Sequence, residues 1–178
     1  MNHQADMQAL VELVSMGLRS KMLRLATVES CTGGLIGAAM TSLAGSSDIY
    51  SGGFITYSNA LKQELVGVHA KTLDDHGAVS SETAREMALG GQSRTGSDLC
   101  IAVTGIAGPD GGTVEKPVGT VWIAVAGPGG GVDSRRCQIA GSREVVRDQS
   151  VLASLELVLI SLGGGMKHIR HEAERVAG

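Results

Sequence analysis

Along the 178-residue chain, hydrophobic residues switch repeatedly between helical and strand-like spacing. Met7, Leu10, Val11, Val14 and Leu18 recur at helical spacing and predict an amphipathic first helix. Leu23 to Val28 predicts a strand, and Thr32 to Leu43 a second helix closed by Ala44-Gly45-Ser46-Ser47. Gly52 to Tyr57 reads as a second strand, and Ser58-Asn59 as a cap for a helix over Ala60 to Val66. A polar connection through Asp74-Asp75-His76-Gly77 leads to a helix capped by Ser80 or Ser81, with Ala84, Met87 and Ala88 on one face.

Leu99 to Val103 is an almost unbroken apolar run, as expected of a strand buried on both faces. It opens into Thr104-Gly105-Ile106-Ala107-Gly108-Pro109-Asp110-Gly111-Gly112, too rich in glycine and proline for a helix. Val118 to Ala126, the turn Gly127 to Gly131 and Val132 to Ile139 predict a hairpin ending in an edge strand. Arg143 to Leu162 is the final helix, with Leu152, Leu155, Leu159 and Leu162 on its apolar stripe. The charged tail from about residue 166 is expected to fray. This order predicts one α/β domain over residues 1–178, a three-layer α/β/α sandwich around a mixed, mostly parallel sheet of about five strands.

Composition narrows the function. Aromatic residues make up only 2 % of the chain, so aliphatic side chains must fill the core and base stacking has few platforms. A net charge of −3 without a basic run argues against a nucleic-acid partner. Val151 to Leu162 is too short for a membrane span and carries Glu156, and Met1 to Gln8 lacks the features of a signal peptide. Three scattered cysteines, Cys31, Cys100 and Cys137, read as reduced thiols, so a cytoplasmic protein is expected. The apolar final helix and the edge strand before it are two surfaces on which a homo-oligomer can form.

In such sheets ligands gather beyond the carboxyl ends of the strands. Three loops there carry polar groups: those holding Ser30, Tyr57 and Thr104. The stretch Thr27-Val28-Glu29-Ser30-Cys31-Thr32-Gly33-Gly34 fits a nucleophile on a turn, an anion-binding loop or a capped helix. A nucleophilic serine needs a base. His3, His168 and His171 lie in the tails and His69 and His76 in a polar connection, which turns attention to Lys62. On spacing alone the simpler reading of Lys62 is an ordinary surface lysine. It becomes a base only if desolvation lowers its pKa. Cys31 is the rival nucleophile, since a thiol at a helix N-terminus ionises readily. Adjacent residues on a turn point different ways, so only one of Ser30 and Cys31 can face a site. Glu29 either orients a site group or neutralises a nearby positive charge. No metal-binding motif, Walker loop or dinucleotide fingerprint is present.

Taken together, Glu29 to Gly34, Tyr57-Ser58-Asn59 with Lys62, Gly77-Ala78-Val79-Ser80, Thr104 to Gly112 and Lys116 to Trp122 resemble the CinA C-terminal domain, or nicotinamide-nucleotide amidase, family. The resemblance runs from about Leu10 to Leu162. It implies hydrolysis of the carboxamide of nicotinamide mononucleotide to nicotinic acid mononucleotide and ammonia, with neither cofactor nor metal. It further implies Ser30 as nucleophile, Lys62 as general base, Tyr57 as an assisting hydroxyl, and Thr104 and Gly105 at the oxyanion hole. Thr32, Gly33, Gly34, Asn59, Gly108 and Arg143 are the expected substrate contacts, with the phosphate meeting a helix N-terminus or Arg143. The family's usual Gly-Asp-Arg triplet reads Gly141-Ser142-Arg143 here, so Ser142 is expected to hold Arg143 through a weaker hydrogen bond. That departure is the one feature favouring the alternative, a non-catalytic nucleotide-binding or interaction module. The nucleotide-hydrolase domain of longer CinA proteins, with its metal-dependent pyrophosphatase chemistry, is not carried over.

Overall fold

The computed structural model describes residues 3–163; the charged tail and His168-Ile169-Arg170-His171 lie outside the described residues. Eleven elements follow in order: α1 (His3–Lys21), β1 (Leu25–Glu29), α2 (Leu35–Thr41), β2 (Tyr50–Ile55), α3 (Asn59–Val66), α4 (Ala70–His76), α5 (Ser81–Thr95), β3 (Leu99–Gly105), β4 (Thr120–Ala126), β5 (Val132–Gln138) and α6 (Arg143–Ser161), besides two short 3-10 turns at Ser46–Asp48 and Pro128–Gly130. The sheet order is β2-β1-β3-β4-β5. Pairing is parallel from β2 through β1 to β3 and antiparallel from β3 through β4 to β5. The expected α/β/α sandwich with a mixed five-stranded sheet is therefore present.

Both faces of the sheet are covered, which explains why β1 is buried at every position and β3 is apolar along most of its length. One core joins Val14 and Leu18 of α1, Ile36 and Met40 of α2 and Leu155 and Val158 of α6 to Ile101, Val103 and Ile123 of the sheet. The other sets Ala84, Met87 and Ala88 of α5 against Val28, Cys100 and Ala102. Leu155, Leu159 and Leu162 are thus spent inside the chain, against α1 and the sheet. At the two edges, β2 and β5 alternate between half-buried and exposed residues.

Two local expectations change. The connection after α3 contains a two-turn helix, α4, whose Leu73 is buried while its charged residues face outward. Two apolar residues in seven, Ala70 and Leu73, were too weak a periodic signal. The second helix begins at Leu35 rather than Thr32, because residues 31–34 form a turn. Ser58 and Ser80 cap α3 and α5 as expected, accepting from the N–H groups of Leu61 and Thr83.

The parallel strands end together. In register, Glu29 lies beside Ile55 on one side and Val103 on the other. The chain continues into hydrogen bonds from Thr56 N–H to the Glu29 carbonyl (2.8 Å) and from Ser30 N–H to the Val103 carbonyl (3.0 Å). Three loops are thereby pinned within bonding distance. On the far side, α5 lies tight against α3: a Cβ on Gly90 would stand 1.7 Å from the Val66 carbonyl oxygen. Gly90→Ala should therefore lose about 1–3 kcal/mol of stability through overpacking, read as a lower midpoint in chemical denaturation.

Candidate active site

Glu29 is the first polar residue at the site, and it is 1 % exposed. Its carboxylate accepts four hydrogen bonds: from the Thr32 hydroxyl (2.7 Å) and from the backbone N–H groups of Gly34, Ile36 and Gly37 (2.9, 3.1 and 2.8 Å). These include the otherwise unpaired donors at the start of α2, and a negative group there also meets the positive end of the helix. Glu29 caps this helix, and Ser30 is left free of that duty. Gly34 reaches the carboxylate with φ +102°, a conformation strained for any other residue. The turn is closed from outside by Arg147 of α6, which donates to the Thr32 carbonyl at 2.9 Å.

Ser30, 8 % exposed, faces the other way. Its Oγ lies 3.1 Å from Nζ of Lys62, which also donates to the carbonyl of Thr56 at 2.8 Å. Lys62 is 1 % exposed, so the surface-lysine reading fails. It sits one turn into α3, and the helix directs its side chain back under the sheet end. Lys62 makes no ion pair among the described residues. Burial, uncompensated by a carboxylate, lowers its pKa to about 8. Its neutral amine can accept the Ser30 proton while still donating to Thr56.

Cys31 goes the opposite way from the helix-end expectation: burial pushes its thiol up to about 11. Desolvation outweighs the backbone N–H groups of Cys31 and Thr32, which favour the thiolate. Both Ser30 and Cys31 border the same cleft, against the expectation that only one could face it, but only Ser30 is in contact with the Lys62 amine.

A cleft of about 290 Å³ opens over Ser30, near the lower size limit of small-molecule sites. Its walls bring together Ser30, Lys62, Tyr57, Asn59, Thr104, Gly105, Gly108 and Arg143 from the expected set, and add Cys31, Ala78, Val79 and Asp110. Thr32, Gly33 and Gly34 do not line it. Thr32 is fully buried on Glu29, and the space beside Gly33 belongs to Arg147. These glycines serve the turn and lie behind Ser30.

Thr104 and Gly105 divide the work at the end of β3. Backbone groups alternate between neighbours along a strand. Val103 bonds toward β1 and Ile106 toward β4, through Thr120. Gly105 N–H therefore points to the β1 side, where the Ser30 turn lies, whereas Thr104 N–H points to β4. The Thr104 hydroxyl instead donates to the Ala78 carbonyl at 2.7 Å and fastens the cleft wall. A side chain on Gly105 would stand 2.8 Å from Val121 and 2.9 Å from the Thr120 carbonyl, so glycine alone fits.

Arg143 is held differently from expectation. Ser142 caps α6, accepting from Val145 N–H at 3.3 Å, and does not hold the guanidinium. Nη1 of Arg143 donates to the Gly108 carbonyl (2.8 Å) and Nη2 to the Tyr57 hydroxyl (3.1 Å). Tyr57, 59 % exposed, is accordingly bonded to Arg143 rather than to Ser30 or Lys62. The first turn of α6 lies at the cleft rim, while that of α2 is consumed by Glu29.

A serine touching a buried lysine, with a strand-end N–H group beside them, is equipped for acyl transfer. The family model of the CinA C-terminal domain matches residues 7–162. The chain belongs to the CinA C-terminal domain family. It is 49 % identical over 146 residues to nicotinamide-nucleotide amidohydrolase PncC of Enterobacter agglomerans, covering 82 % of this chain and 89 % of that one. To the protein of the same name from Escherichia coli K12 it is 42 % identical, covering 85 % and 92 %. The crystal structure of the competence/damage-inducible protein CihA from Agrobacterium tumefaciens superposes with a TM-score of 0.85 at 41 % identity, covering 89 % and 96 %.

The buried amine has a stability consequence with a definite sign. With its folded pKa at about 8 against an ordinary 10.5, Lys62 binds its proton more weakly in the folded chain. Its burden on the fold is full below pH 8 and disappears as pH rises toward 10.5. Lys62→Met should therefore raise stability at pH 7 by about 1–3 kcal/mol, after discounting the lost bond to Thr56. The gain should vanish near pH 10.5, as followed by denaturation at the two pH values.

Proposed function

We propose that this chain hydrolyses the carboxamide of nicotinamide mononucleotide, releasing ammonia and nicotinic acid mononucleotide through an acyl-enzyme on Ser30. The observation carrying the chemistry is the 3.1 Å contact between Ser30 and an amine whose pKa is lowered to about 8 by burial. The nucleotide as substrate is supported by the family and by the relatives named as nicotinamide-nucleotide amidohydrolases.

Neutral Lys62 takes the hydroxyl proton as Ser30 Oγ attacks the amide carbon. Negative charge develops on the carbonyl oxygen, and Gly105 N–H is oriented to receive it, an interaction worth roughly 3 kcal/mol in comparable hydrolases. The protonated Lys62 then donates to the departing nitrogen, the C–N bond breaks, and ammonia leaves. Water attacks the nicotinoyl ester with Lys62 again as base, and Ser30 recovers its proton. The cationic pyridinium ring withdraws electrons from the carboxamide and eases both additions. Tyr57 supports this cycle by fixing Arg143 at the rim, where three remaining guanidinium N–H groups and the start of α6 suit the phosphate.

The alternative of a non-catalytic module rested on the Gly-Ser-Arg triplet. Serine and aspartate are equivalent helix caps, and Arg143 is held by Gly108 and Tyr57. The departure therefore removes neither the helix cap nor the two bonds that hold Arg143.

Ser30→Ala should lower ammonia release from nicotinamide mononucleotide about a thousandfold or more, while calorimetry still detects binding. Parental turnover in that variant would remove Ser30 as nucleophile. Cys31→Ser should stay within a few-fold of the parent. In the parent, kcat/KM should climb about tenfold per pH unit below pH 8 and level off above it, as the base loses its proton. A profile flat between pH 6 and 8 would exclude Lys62 as that base.

A further inference from the structure

Asp110 lies in the loop after β3 and lines the same cleft as Ser30, yet it has no hydrogen bond or ion pair among the described residues. Asp110 is exposed, as are its neighbours from Pro109 to Glu115, but the loop is anchored where it passes Val118. Glycines on either side approach Val118 so closely that a Cβ on Gly108 would stand 2.6 Å from its side chain, and one on Gly112 2.7 Å from its backbone nitrogen. At its base Ile106 donates to the Thr120 carbonyl and Gly119 donates to the Ile106 carbonyl. Arg143 holds the same loop two residues earlier, through the Gly108 carbonyl, without pairing with Asp110.

A small cleft thus keeps a carboxylate and a guanidinium on its wall, each without an opposite charge. Such an arrangement complements a ligand that itself carries both signs. The proposed substrate is of that kind, with a cationic ring next to the reacting amide and an anionic phosphate at its other end. Arg143 stands at the rim beside the start of α6 and suits the anion. Of the ligand's two charges, only the ring cation is complementary to the Asp110 carboxylate on the cleft wall.

We propose that Asp110 is a specificity-determining residue that selects the positive charge of the pyridinium ring. This rests on the reading of the cleft as a nicotinamide-nucleotide site. Asp110→Asn keeps the shape and hydrogen-bonding reach of the side chain and removes only its charge.

The test uses the Ser30→Ala chain with and without Asp110→Asn, and calorimetric binding of two ligands: nicotinamide mononucleotide, and the benzamide C-nucleotide in which carbon replaces the ring nitrogen. The second ligand keeps the amide, ribose and phosphate but has a neutral ring. Asp110→Asn should weaken nicotinamide mononucleotide about five- to tenfold and the neutral analogue less than twofold. Equal weakening of both, or of neither, would overturn the proposal. Ammonia release by the parent chain is measured alongside. Its absence would defeat the amidase reading while leaving the charge discrimination of Asp110 to stand or fall by the binding ratio.

Discussion

The structure is built around an amine buried without a counter-ion. Lys62 is almost wholly inaccessible, and its only described partners are a hydroxyl and a carbonyl. Neither compensates an ammonium as a carboxylate would, so the proton is held loosely. The rest of the sheet end accommodates that choice. The Thr56 carbonyl is oriented for Lys62 because Thr56 N–H is bonded to Glu29 of β1, and Ser30 is oriented because its own N–H is bonded to Val103 of β3. Backbone ladders thus fix both partners of the amine, which removes the need for flexible side chains to find one another.

A buried carboxylate close in sequence is kept from spoiling this arrangement. Glu29 is adjacent to Ser30 in sequence and fully buried, and had it turned toward Lys62 the two would have formed an ion pair. Its oxygens are instead committed to Thr32 and to three N–H groups at the start of α2. A buried carboxylate with that many donors is satisfied where it is. Burial, the largest influence on Cys31, holds its thiol protonated. One residue therefore shapes the turn, caps the helix and leaves Ser30 as the side chain in contact with the Lys62 amine.

Much of this was legible in sequence, for identifiable reasons. The apolar run Leu99 to Val103 pointed to a strand covered on both faces, and Ser58 and either Ser80 or Ser81 were candidate caps, because those patterns are local; Ser58 and Ser80 take the role. The meeting of Ser30, Tyr57 and Thr104 loops followed from topology alone. Burial of Lys62 did not, since it depends on how α3 docks beneath the sheet, which its own spacing does not report. The tasks of Thr32, Gly33 and Gly34 were misplaced because a turn has two sides, and sequence does not say which one faces the cleft. Glu29 carried a readable signal: an acid four residues before a pair of glycines that open a helix. Asp110 carried none beyond a polar residue in a glycine-rich loop, and only the shared cleft singles it out.

A pKa near 8 is also the value that the proposed cycle needs. Lys62 must be neutral when Ser30 attacks and protonated when ammonia departs, so neither state can be far from reach at neutral pH. A carboxylate at hydrogen-bonding distance would raise the pKa and leave too little free base. Deeper desolvation, without the Thr56 carbonyl, would lower it and leave an acid too short-lived to serve the leaving group. Partial support from one neutral carbonyl lies between these limits. That is the physical reason a lysine can stand where many hydrolases use histidine, whose ordinary pKa already lies in this range.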